Sequence, residues 1–139
     1  MDPREPLQAI ERQALAALVA AGVSVSADAE PRVGRLALSS DFAIDTLARQ
    51  PGLLARLLAD SQTPLEMPEL APGIPDEWPG VLRRHRAAES TRLIWRDVVE
   101  GADVTEILHG ATALAEGCLQ AALTALETQF TARHGVVRN

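Results

Sequence analysis

The sequence holds no lysine and no tyrosine, only one cysteine, and aromatic residues at just 3%. Its 13 basic side chains other than histidine are therefore all arginine. With Cys118 alone, an internal disulfide framework and a multi-cysteine zinc site are excluded, and a reducing compartment is the expectation. No run approaches the ~20 apolar residues that span a bilayer. The first residues, Met1-Asp2-Pro3-Arg4-Glu5, carry an acid and no long apolar stretch, unlike a secretory signal. A cytoplasmic location and no membrane partner are expected. The net charge of -6 argues against a nucleic-acid binder, which needs a basic face for phosphates.

What is present is alanine and leucine, the strongest helix formers, while the β-branched and aromatic residues that favour strands are scarce. Hydrophobic residues make up 47% and charged residues 23% of the 139, the balance of one globular domain. The fold class expected is all-α, a bundle of about five helices.

Apolar spacing predicts a first helix over 5–21, with Leu7, Ile10, Ala14 and Leu18 at three- and four-residue steps and Gly22 at its end. Residues 23–38 read as a linker broken by Pro31 and Gly34, so 1–38 is taken as a variable N-terminal helix and linker and 39–139 as the main helical region. Ser39-Ser40-Asp41 predicts a capped start to a helix over 41–49. Pro51 suits the first position of the next helix, 51–60. Five of the nine prolines fall in 61–80 together with four acids and no basic residue, predicting an extended acidic connector. A fourth helix is expected over 80–100, stopping at Gly101, and a fifth from Asp103 to Arg133, opening on a capping box with Glu106. Val104, Ile107, Leu108, Ala111, Leu114, Ala115, Cys118, Leu119, Ala122, Leu126 and Phe130 form one apolar stripe on a rod roughly 45 Å long. The short break between the two predicts a long C-terminal antiparallel helical hairpin.

In the fourth helix, His85, Glu89, Arg92 and Arg96 fall on one stripe. Beside a catalytic role for His85 in isolation, two readings stay open. One is a solvated ion-pair face, with Glu89 bridging Arg86, Arg92 and Arg96, each pair worth ~0.2–1 kcal/mol. The other is a polar face buried against another domain or chain, where arginine forks hold carboxylates or phosphates. Gly110 and Gly117 read as points of close packing. His109 and His134 have no ligand-spaced partners, and Cys118 reads as a small buried hydrophobe. Ser39-Ser40-Asp41 lacks the flanking glycines of a catalytic Ser-Ser-Asp and reads as a cap.

The run Leu82-Arg83-Arg84-His85-Arg86, with Glu89 and Arg92-Leu93-Ile94-Trp95-Arg96-Asp97-Val98, and then Leu114-Ala115-Glu116-Gly117-Cys118-Leu119-Gln120-Ala121-Ala122-Leu123, resembles the bifunctional glutamine-synthetase adenylyltransferase/adenylyl-removing enzymes of bacteria. Ser40-Asp41-Phe42 and Pro51-Gly52-Leu53-Leu54-Ala55-Arg56-Leu57-Leu58 resemble the opening of the same pattern. The resemblance covers residues 38–138.

It implies that this is the non-catalytic N-terminal helical portion of a much longer enzyme, ahead of a nucleotidyltransferase core that carries a Gly-Gly-x-Glu-Leu and Ser-Ser-Asp-x-Asp signature. No residue here matches that signature, so no catalytic residue and no metal ligand is carried over. Magnesium and ATP are implied for the full-length family and none for this chain, and AMP transfer or removal by it alone is not expected. Implied partners are the remainder of the parent enzyme, glutamine synthetase and a PII-type signal protein, with a homodimer of this portion as a further expectation. His85, Glu89, Arg92 and Arg96 are then expected to face a neighbouring domain or partner. The alternative is a free-standing helical protein–protein interaction module.

Overall fold

A computed structural model describes residues 2–71 and 73–135. They form α1 (Glu5–Ala20), α2 (Glu30–Ser39), α3 (Asp41–Arg49), α4 (Leu53–Ala59), a 3-10 turn (Pro75–Glu77), α5 (Trp78–Val98) and α6 (Val104–His134). The described residues are all-α: six α-helices rather than five, and no strand.

α1 ends at Gly22, whose φ of 85° only glycine adopts without strain. The N–H groups of Gly22 and Val23 return to the carbonyls of Val19 (3.0 Å) and Leu18 (2.9 Å), the Schellman closure. Val23 is thereby turned into the core.

The expected 23–38 linker is corrected. Residues 30–39 are helix α2, which buries Val33, Leu36 and Ala37. Pro31 lies in its first turn, where a missing N–H costs nothing. Gly34 is a contact point: a Cβ there would lie 3.2 Å from the Glu11 side chain of α1. Both presumed breakers thus serve the helix.

Ser40, extended at φ -157°, separates α2 from α3 and its hydroxyl accepts from the Ala43 N–H at 3.0 Å, the predicted cap. α4 opens at Leu53 after Gly52, two residues later than the proline-led start expected. The described residues of 60–74 are non-helical, ahead of the 3-10 turn, but they form no free connector: Ser61 and Leu70 are buried. The Trp78 indole N–H donates to the Ala71 carbonyl at 2.8 Å, and α5 starts there, two residues before Gly80.

α5 is the spine. Its Ala88, Trp95 and Val99 join the buried apolar side chains of α1 to α4 in one core, with Trp95 fully enclosed. Its other end, Trp78 with Val81 and Leu82, packs with Leu70 and with Ala121 and Ala125 of α6. α6 also approaches α5 at Gly110, where a Cβ would sit 2.5 Å from Leu93 Cδ2.

The single apolar stripe of α6 is also corrected. Cys118 and Ala125 are buried and Ile107 and Leu114 half-buried. Val104, Leu108, Leu119, Leu126 and Phe130 instead stand more than half exposed on the outer flank. One neighbouring helix covers only one side of a rod, and the stripe was wider than that.

Candidate functional site

The polar stripe of α5 and the segment following α4 meet at one place. Asp60 ends α4, and its carboxylate accepts from the N–H groups of Gln62 (3.0 Å) and Thr63 (3.2 Å). Hydrogen bonding from the Thr63 side chain first, and then from these backbone N–H groups, holds the Asp60 carboxyl below its ordinary value. From the other side, Arg56 of α4 donates to the carbonyls of Asp60 and Thr63. The chain is so turned back onto α5.

Beneath it lie Glu89 and Arg92. Arg92 Nε and Nη2 donate to the two Glu89 oxygens at 2.6 and 2.7 Å, a forked pair one helical turn apart. Both side chains are almost completely enclosed, at 4% and 6% exposure. Their remaining capacity goes to the loop backbone. Arg92 Nη1 donates to the carbonyls of Ser61 (3.0 Å) and Gln62 (3.4 Å), and Glu89 accepts from the Leu65 N–H at 3.1 Å. A buried ion pair is tolerable only with its leftover donors and acceptors satisfied in this way.

Arg96, one turn further on, forks onto Glu106 of α6 with two bonds of 2.8 Å and reaches Glu100 at 3.2 Å. Glu100 also accepts from the Ser61 hydroxyl. The Arg96 fork holds the Glu106 carboxyl below its ordinary value, and the same bonds raise the Arg96 guanidinium. His85 lies at the near end of the stripe, buried. Removal from water pushes its imidazole below the ordinary value, against the opposing pull of Glu89.

His85, Glu89 and Arg92 are therefore buried within this chain and Arg96 is mostly covered, which corrects the solvated ion-pair face. Glu89 holds Arg92 alone, whereas Arg86 is exposed and borders a groove of about 510 Å³ between α5 and α6. The covering segment comes from residues 61–65, more than 20 positions away, so helical periodicity cannot announce it. Sequence reasoning missed Ser61 and Glu100. It saw Glu106 as the return arm of a capping box; the Asp103 carboxylate does accept from Thr105 N–H, but Glu106 turns to Arg96 instead. Glu100, four residues after Arg96, was the legible signal.

Chemically, this arrangement positions the 61–65 segment and α6 against α5. Each of its carboxylates is committed to an arginine or to backbone N–H groups. Among the described residues no group of three or more His, Cys, Asp or Glu is placed to hold a metal ion. Cys118 is buried on the α5-facing side of α6. Gly110 admits Leu93 closely, as predicted, while Gly117 faces Met67 of the loop, at 3.1 Å from its Cε for an added Cβ. The His134 side chain lies outside what is described. No helix among the described residues is long and apolar enough to cross a membrane.

Residues 31–139 match the family model described as glutamate-ammonia ligase adenylyltransferase. The match takes in α2, which the sequence reading had left outside. The chain is 55% identical over 113 residues to the bifunctional glutamine synthetase adenylyltransferase/adenylyl-removing enzyme of Stenotrophomonas maltophilia strain K279a, covering 81% of this chain and 12% of the relative. It is 57% identical over 108 residues to the protein of that description from Xanthomonas campestris pv. campestris, covering 78% and 12%. Against the one from Thioalkalivibrio sulfidiphilus the identity is 34% over 116 residues, covering 76% and 12%. The chain thus spans about 12% of the length of the curated relatives it matches. No solved structure matches it.

Proposed function

Because this chain belongs to the glutamate-ammonia ligase adenylyltransferase family, we propose that it is the non-catalytic helical portion of an enzyme that adenylylates and deadenylylates glutamine synthetase in the control of nitrogen assimilation. The observation that carries this reading is the committed state of the polar stripe. Glu89 and Arg92 fasten the 61–65 segment to α5, and Arg96 fastens α6 to the same helix through Glu106. Such a lock fixes three elements in one relative position, which is what a scaffold beside a nucleotidyltransferase core needs.

In this reading the stripe serves a neighbouring domain from within, by setting the surface presented to it. ATP and magnesium belong to the remainder of the enzyme, and contacts with glutamine synthetase and a PII-type signal protein are made by the assembled enzyme in the cytoplasm. Residues 39–139 are the scaffold region. The free-standing interaction module is the second reading, favoured by the exposed outer flank of α6.

Incubating the 139-residue chain with ATP, magnesium and glutamine synthetase, unmodified or adenylylated, tests the proposal. Neither incorporation nor release of AMP above a blank is expected, and turnover by the chain alone overturns it. In a full-length enzyme carrying this segment, Arg92→Ala with Arg96→Ala should lower both activities and thermal stability. Unchanged activity and stability would equally end the reading.

A further inference from the structure

The groove between α5 and α6, about 510 Å³, carries two unlike charges on its α5 wall, Arg86 and Asp97. They stand eleven residues apart. That is three helical turns, so both lie on one face of α5, about 16 Å apart along its axis. Both side chains are exposed, and among the described residues neither makes an ion pair or a hydrogen bond. Glu89, Arg92 and Arg96 on the adjoining stripe are all committed; these two are not. Between them the floor is apolar, made by Leu93 and Ile94 of α5 and by Ile107 and Leu114 of α6. Ala111 and Ala115 of α6 also line it, exposed and small enough to let another backbone come close.

We propose that this groove seats one amphipathic helix from the remainder of the longer enzyme, with an acidic residue set against Arg86 and a basic residue, three turns on, set against Asp97. The proposal rests on the reading of this chain as a portion of that enzyme. Spacing decides the class of ligand. A free amino acid carries its charges too close together to reach both Arg86 and Asp97. An extended peptide is long enough, but both walls are helices whose backbone groups are already paired. Its own N–H and C=O groups would lie unpaired on apolar side chains. A helix satisfies its own backbone and brings only side chains to the groove. An acid in its first turn and a base in its last suit its dipole, so it runs antiparallel to α6.

Charge also selects the source. No helix of this chain besides α5 sets an acid and a base eleven residues apart. At that spacing α6 has Glu116 and Glu127, so α6 of a second copy would bring an acid to Asp97. The pair on a second copy's α5 lies inside that copy's own groove. The seated helix therefore comes from outside these residues. The relatives, of which this chain covers about 12%, have the further sequence to supply it.

The test uses three helical alanine–leucine peptides with the same apolar face. They differ only at two positions eleven apart, which hold Glu and Arg, Glu twice or Arg twice. Fluorescence anisotropy with the 139-residue chain should show the mixed peptide bound about fivefold more tightly than either like-charged one, the worth of one exposed ion pair. Arg86→Glu should transfer the preference to the doubly basic peptide, and Ala115→Glu should abolish binding. Both variants should keep the helical circular dichroism, since both positions are exposed. In a full-length enzyme carrying this segment, benzoylphenylalanine in place of Ala111 should photo-cross-link to a segment outside residues 1–139 of the same molecule. AMP turnover by the chain alone would end the enzymatic reading and leave the peptide preferences unchanged, so the two failures are told apart. Peptides bound alike, a preference unmoved by Arg86→Glu, or cross-links confined to residues 1–139 or to a second copy would each overturn the proposal.

Discussion

Arg92 shows how much one side chain can hold. It has 4% exposure, a forked bond to Glu89 and two loop carbonyls as further acceptors. Truncating either member leaves a buried charge without its counterpart, a change that costs about 3–5 kcal/mol. Arg92→Ala and Glu89→Ala should each lower stability in urea denaturation by that order, and the double replacement by leucine should lower it by less than the sum of the two. A loss below ~1 kcal/mol for Arg92→Ala would show that the pair is solvated, since that is the range of exposed pairs. Sequence spacing placed His85, Glu89, Arg92 and Arg96 on one stripe, and the structure keeps them there. It could not tell a wet stripe from a covered one, because the cover is the backbone of residues 61–65 and carries no pattern of its own. Trp95 is another such case: its indole N–H is buried with no acceptor among the described residues, a feature only packing could create.

Among the elements, boundaries set by local chemistry were legible and those set by neighbours were not. Ser40 predicted the start of α3 because its hydroxyl satisfies an orphan N–H wherever that helix goes. Gly22 and Gly101, at φ 85° and 65°, end α1 and follow α5 for an equally local reason. α2 was missed because Pro31 and Gly34 count as breakers in isolation. In place, the proline sits in the first turn and the glycine makes room for Glu11. The α5–α6 contact depends on a second glycine in the same way. Gly110→Ala would drive a methyl to 2.5 Å from Leu93 Cδ2, so the buried Leu93 side chain or the helix behind it must shift, and overpacking of this kind costs about 1–3 kcal/mol. Gly117→Ala meets only the flexible end of Met67. Thermal denaturation should therefore rank Gly110→Ala well below Gly117→Ala. The reverse order would mean that α6 does not press on Leu93.

For the whole molecule, proton linkage offers a readout of the fold. Burial lowers the His85 imidazole, so the folded state resists the proton that an unfolded chain takes up near its ordinary value of 6.5. Where the unfolded state binds more protons, stability rises with pH. The denaturation midpoint should fall as pH drops from about 7 to about 5, and His85→Gln should flatten that interval. A midpoint unchanged across it would place His85 in solvent. Asp60 and Glu106 act lower: their carboxyls lie below the ordinary 3.8 and 4.5, so what they contribute is present above those values and is lost as pH falls through the lowered ones. The sequence by itself determined the all-helical class, most of the helix boundaries, the polar stripe and the family, because propensity, capping and periodicity act within a few residues. Only the tertiary structure decided that 30–39 is helical, that the 61–65 segment closes over Glu89 and Arg92, and that half of the α6 stripe faces outward. Those outcomes depend on which distant segment lies against a given face, and burial, unlike spacing, belongs to both partners at once.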